Sequence, residues 1–175
     1  VLSSGNTVAT NTNAFGGVRT VIGHASGKWY FEITTTTWTG NIFDVDGLCF
    51  VTGAEALGNF PGGASLWFRN DGLAHIAGVS QGNSIDALVA ATIGFAIDMN
   101  TKFAWVNNYT RGTGWVGASF SPSPDPVTGT NGFNVSSVFT GATVYPGMSG
   151  DNSTTDVATF DQTFAHAPPT GFCGW

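Results

Sequence analysis

Chemistry in this 175-residue chain must come from few side chains, because only 9% of its residues are charged. The glutamates are Glu32 and Glu55. A retaining glycosidase holds two carboxyl groups about 5 Å apart across the scissile bond, commonly as Glu-x-Asp-x-x-Glu along one strand. Neither glutamate has an acidic neighbour at that spacing, so glycan hydrolysis is the weakest of the readings. The histidines, His24, His75 and His166, are scattered, with no Gly-x-Ser-x-Gly elbow and no His-Glu-x-x-His pair to turn one into a base or a zinc ligand. Asp44-Val45-Asp46-Gly47 offers hard oxygen donors of the kind calcium takes, yet alternate carboxylates are also routine in exposed loops, and no metal is assigned. Cys49 and Cys173 are too far apart in sequence for a zinc or redox motif. A disulfide between them stays open beside the simpler reading of two small buried hydrophobes. No cofactor motif is present, and the chain reads as a non-enzyme.

Binding is the more natural chemistry. A flat aromatic on a loop stacks on a sugar ring or an apolar partner face, while Asn, Asp and Arg supply directional hydrogen bonds. The candidate ligand-binding residues are Trp38, in an early loop, and Tyr109, Arg111 and Trp115, in a later segment. Trp115 has a second reading, as a plug that seats its segment on the fold.

The elements that must position these residues are strands. Hydrophobic residues make up 42% of the chain and there are 25 glycines, with abundant Thr and Val and few Glu, Lys or Leu to build helices. That balance predicts an all-β chain with many turns. The length suits one domain, residues 1–175, with a real core. A net charge of −6 with five Lys and Arg argues against nucleic acid, which needs clustered cations. No apolar run reaches the roughly 18 residues that cross a bilayer, and Val1 to Asn6 lacks the basic and apolar regions of a signal peptide.

The central stretch is Thr92 to Trp105. Ile93, Phe95, Ile97 and Met99 alternate with small or polar residues, an Asn-Thr turn follows, and Phe103 and Trp105 resume, which predicts a hairpin with one heavy apolar face. In Lys28 to Thr35, Trp29, Phe31 and Ile33 share one face and Lys28, Tyr30 and Glu32 the other. Gly47 to Thr52 is apolar on both sides, Ser65 to Arg69 turns at Asn70-Asp71-Gly72 into Leu73 to Ile76, and Gln81 to Ala87 reads as a loop. Val8 is expected to point inward. About 107–131 is a long segment with three prolines, too long for a neutral connector.

Gly27 to Glu32, Ser65 to Gly72, Ile93 to Asp98, Val144-Tyr145-Pro146 and Pro168 to Phe172 come in the order and spacing of a SPRY (B30.2-like) domain. The resemblance spans nearly the whole chain and implies a concanavalin-like β-sandwich of two curved antiparallel sheets. The segment from Trp105 through Gly129-Thr130-Asn131-Gly132, and the ending Ala167 to Phe172, look most like SPRY-like domains of bacteriophage and prophage structural proteins. Such a resemblance implies a binding module on a phage or phage-like virion (head decoration, fibre or tail). It would meet other virion proteins or a host-surface glycan, without nucleic acid or membrane insertion, as an oligomer or as part of a larger assembly. The alternative is a purely architectural decoration protein that oligomerises through an exposed sheet face. The insertion at 107–131 departs from the animal domains of the family, so their peptide-binding loops cannot be carried over.

Overall fold

The computed structural model describes residues 2–5, 7–12, 16–37, 47–55, 63–118, 123–150, 155–161 and 163–175. Trp38, Asp44 and Asp46 lie outside them, as does part of the long segment at 119–122. Among the described residues fifteen strands are formed: β1 (Leu2–Ser3), β2 (Val8–Thr12), β3 (Gly16–Arg19), β4 (Lys28–Thr37), β5 (Gly47–Thr52), β6 (Ser65–Arg69), β7 (Leu73–Ile76), β8 (Val79–Ser84), β9 (Thr92–Asp98), β10 (Phe103–Asn108), β11 (Trp115–Val116), β12 (Phe133–Asn134), β13 (Val144–Gly150), β14 (Thr155–Asp161) and β15 (Cys173–Gly174). One helical turn, α1 (Ser136–Phe139), accompanies them.

The strands make two sheets. One runs β1-β2-β14-β4-β9-β10-β11, with β12 on β10 and β15 on β4, and the other runs β3-β13-β5-β6-β7-β8. Strand pairs are antiparallel except the two-residue contact of β15 with β4. Aromatic rings tie the inner faces together. Phe31 and Phe95 stack at 4.8 Å, Phe50 meets both edge-on at 5.0 and 5.7 Å, and Phe68 meets Phe95 at 5.8 Å. These are the favoured offset and edge-to-face geometries, and the four rings are all buried. The result is the concanavalin-like sandwich of two antiparallel sheets expected from the motif order.

Three expectations are corrected, two about faces and one about a loop. β9 and β10 pair Ile97 with Ala104, Ala96 with Trp105 and Phe95 with Val106. Each odd-numbered residue of β9 therefore shares a face with an even-numbered residue of β10, so Ala104 and Val106 enter the core and Trp105 points to the outer face. Trp105 is still only 1% exposed there, because the later chain folds over it and Thr130 O accepts from its Nε1 at 2.8 Å. In β2 the inward residue is Ala9, opposite Ala158, while Val8 is half-buried. Of Gln81 to Ala87, read as a loop, the part up to Ser84 belongs to edge strand β8 on β7; an edge strand is held by backbone pairing and needs no apolar pattern.

The sheet of β4 and β9 is also covered on its outer side. β14 leaves β4 at Glu32, and the chain then crosses the outer face and returns to lay Cys173 and Gly174 beside Trp29 and Tyr30. Tyr30, Ala96, Trp105 and Phe172 pack there, with Phe103, Tyr109, Trp115 and Phe164 around them.

Candidate recognition site

The site is assembled on that outer face from three separate stretches. β4 supplies Tyr30 and Glu32, the turn after β10 supplies Tyr109, with Trp115 on β11, and the crossing segment supplies His166. Gly94 on β9 lies opposite Glu32. Its missing side chain makes the room: a Cβ there would come within 2.5 Å of the Tyr109 ring and 2.9 Å of Tyr30 Oη.

Glu32 is the hub. Its side chain is 0% exposed, so its charge must be met by donors. Tyr30 Oη donates to Oε1 at 2.6 Å, Ala165 N to Oε2 at 2.8 Å and His166 N to Oε1 at 2.9 Å, and His166 Nδ1 lies 3.1 Å from Oε1. Above it the Tyr109 and His166 rings stack at 3.7 Å and 4°. Trp115 meets Tyr109 at 6.3 Å and Tyr30 at 6.4 Å, both edge-on. The two phenol oxygens are 3.2 Å apart. Burial, with Glu32 and Tyr109 beside it, pushes the Tyr30 phenol well above its ordinary range, and burial likewise raises Tyr109. Both phenols thus stay protonated at neutral pH.

The turn that carries Tyr109 is held by Asn108, which is fully buried. Its Nδ2 donates to Ile85 O and Ala87 O at 3.0 and 3.2 Å, and its Oδ1 accepts from Arg111 N at 3.1 Å. Thr113 Oγ1 accepts from Asn108 N at 3.1 Å. Arg111 itself is exposed and its guanidinium donates to Val89 O at 3.2 Å, on the connection between β8 and β9.

Of the four sequence candidates, the structure therefore brings Tyr109 and Trp115 together. It ties Arg111 to a different loop, and Trp38 lies outside the described residues. The Trp115 ring packs on Tyr30 and Tyr109, as a plug that seats its segment would, and remains half-buried. Glu32 and His166 were missed as site residues. The only hint was Glu32 on the polar side of an otherwise apolar strand. Cys49 and Cys173 are both free. Burial pushes the Cys49 thiol up, whereas Cys173 is exposed, against the expectation of two buried hydrophobes.

A concave feature opens away from this face, at the sandwich edge between β1 and β3. This cavity of about 530 Å³ is lined by Leu2, Val18, Ile22, Pro146, Phe160 and Trp175, among others. At its rim Thr20 N donates to Pro146 O and His24 N to Val144 O, so Val21, Ile22 and Gly23 bulge out past Tyr145. Gly23 is required, because a Cβ would lie 2.4 Å from the Tyr145 ring. Ile22 O accepts from Thr20 Oγ1 at 2.8 Å and from Trp175 Nε1 at 3.1 Å. The bulge is thereby fixed with Val21 96% and Ile22 62% exposed.

No family model matches the sequence, and no curated protein matches it. Solved structures do match in shape. The SPRY domain of human HERC1 is 14% identical, with 94% of this chain and 93% of that one covered and a TM-score of 0.64. The TRIM65 PSpry domain is 10% identical, with 93% and 85% covered and a TM-score of 0.62. From one end of the described chain to the other, the sandwich that carries Glu32, Tyr109, Trp115 and His166 has the fold of a SPRY domain.

Proposed function

We propose that this chain is a non-enzymatic recognition module of a phage or phage-like virion, and that it engages a host-surface glycan through Trp115, Tyr109 and His166. The observation that carries the reading is the convergence of these three rings, each half-buried, on one outer face. Half-exposed rings present an apolar edge and a polar tip to a ligand at small entropic cost. The state of Glu32 favours binding over catalysis: its oxygens already accept from a phenol and two backbone N–H groups, which leaves little to offer a substrate. The placement on a virion is supported by the low charge, the Thr/Asn/Gly-rich composition and the resemblance of residues 105–132 and 167–172 to phage domains.

Glycan-array and host-cell binding test the reading. Trp115→Ala should lower binding at least ~10-fold, as for an aromatic anchor, with an unchanged circular dichroism spectrum. Undiminished binding by that folded variant would remove the site.

The architectural reading, an oligomerising decoration protein, is favoured by one specific observation. The fixed Val21–Ile22 bulge stands beside the cavity at the open edge, and apolar knobs of this kind serve subunit contacts.

A further inference from the structure

We infer that His166 is the hydrogen-bond acceptor of the recognition site, with Glu32 as the positioning residue that fixes its proton on Nδ1 and leaves Nε2 for a ligand hydroxyl. The inference rests on the glycan reading above and adds to it the chemistry of the ligand group. It follows from the partners of each atom. His166 Nδ1 faces Glu32 Oε1 at 3.1 Å. That oxygen already accepts from Tyr30 Oη and from the His166 backbone N–H, and its neighbour Oε2 accepts from Ala165 N. All three of these partners donate, which is the pattern an ionised carboxylate satisfies, since it accepts and has no hydrogen to give. The contact with Nδ1 is then satisfied only if Nδ1 carries the hydrogen.

In a neutral imidazole one nitrogen donates and the other accepts, and the partner of one sets the role of the other. A proton held on Nδ1 makes Nε2 a lone-pair acceptor. A half-turn of the ring would keep its stack on Tyr109 but set Cδ2 in place of Nδ1 against Glu32 Oε1, so the contact with the carboxylate is what holds the ring this way round. The His166 side chain remains 41% exposed. A fixed acceptor on the ring stacked against Tyr109, whose edge Trp115 packs on, selects a ligand that brings a donor next to an apolar face. A pyranose does so, with ring hydroxyls flanking its C–H face. Groups that only accept, such as sulfate or carboxylate substituents, are disfavoured at this position while the ring is neutral.

Two measurements on the whole chain test this. Long-range ¹H–¹⁵N correlation spectra at a pH where the ring is neutral should show the Nδ1–H tautomer, and Glu32→Leu, which offers no acceptor, should lose that preference. A wild-type ring with its hydrogen on Nε2 overturns the inference whatever the binding data show. Against neutral glycans on the array, His166→Phe keeps a stacking ring and removes the acceptor. It should bind about 10-fold more weakly, the scale of one hydrogen bond, and His166→Gln, whose amide oxygen can replace Nε2, should recover part of the loss. If His166→Phe binds like wild type while Trp115→Ala does not, the acceptor role is wrong and the recognition site stands. If wild type retains no glycan, the glycan reading and the hydroxyl ligand fall together.

Discussion

At the scale of single residues, Glu32 is the group around which the site is arranged, accepting from Tyr30, Ala165 and His166. Tyr109 and Trp115 stand out because they are large rings in a polar stretch. Glu32 and His166 are 134 positions apart, and nothing local in either stretch announces that one will bury the other's partner. His24 shows the same limit. In sequence it is one histidine among turns, but in the fold it stacks on Trp29 at 3.5 Å and meets Trp175 edge-on at 4.7 Å. Its Nε2 is buried with no partner among the described residues. Burial lowers its pKa from 6.5, and burial lowers that of His75 as well. The unfolded chain takes up these protons at about 6.5 and the folded chain only at lower pH. Their contribution is thus complete above 6.5 and is lost as pH falls from 6.5 toward the lowered native values. Urea denaturation at pH 7.5 and 5.5 should show a lower midpoint at 5.5, and His24→Phe, which keeps the stack, should shrink that drop. An equal drop in the variant would contradict the role given to burial.

At the scale of elements, the strands that face the core were legible because they alternate, and the exceptions have simple causes. β8 is an edge strand with polar side chains, so its pairing left no trace in periodicity. Alternation puts Trp105 on one apolar face with Phe95 and Ile97, but hairpin register puts it on the outer face, and register is not visible until both strands and the turn are placed. Gly94 is the element-scale control on the site. A methyl group there would press on the Tyr109 ring and on Tyr30 Oη, and overpacking of this kind costs about 1–3 kcal/mol. Gly94→Ala should lower the melting temperature by roughly 2–10 °C for a chain of this length and shift Trp115 fluorescence as Tyr109 moves. A variant with unchanged stability and fluorescence would show that the two tyrosines are not confined by β9.

At the scale of the whole molecule, five short motifs, each weak alone, carried the sandwich, because their order constrains strand pairing more than any one of them does. The outer cover of residues 163–175 could not be read in the same manner. It is short of alternation, holds two consecutive prolines, and gains its place from β4 rather than from its own propensity. The open edge near Val21 and Ile22 belongs to this scale too. If it joins copies of the chain, sedimentation velocity should show an oligomer that Val21→Asp with Ile22→Asp reduces to monomer. A monomeric wild type at high concentration would remove the architectural reading.

Two surfaces thus compete for the working role, and a tryptophan marks each: Trp115 on the outer face and Trp175 at the open edge. The indole N–H signals of ¹⁵N-labelled protein separate them in one experiment, a titration with a glycan retained on the array. Recognition at the outer face predicts that the Trp115 indole signal and the His166 ring signals move while the Trp175 signal stays in place. Movement of Trp175 with Trp115 and His166 unchanged would contradict the account.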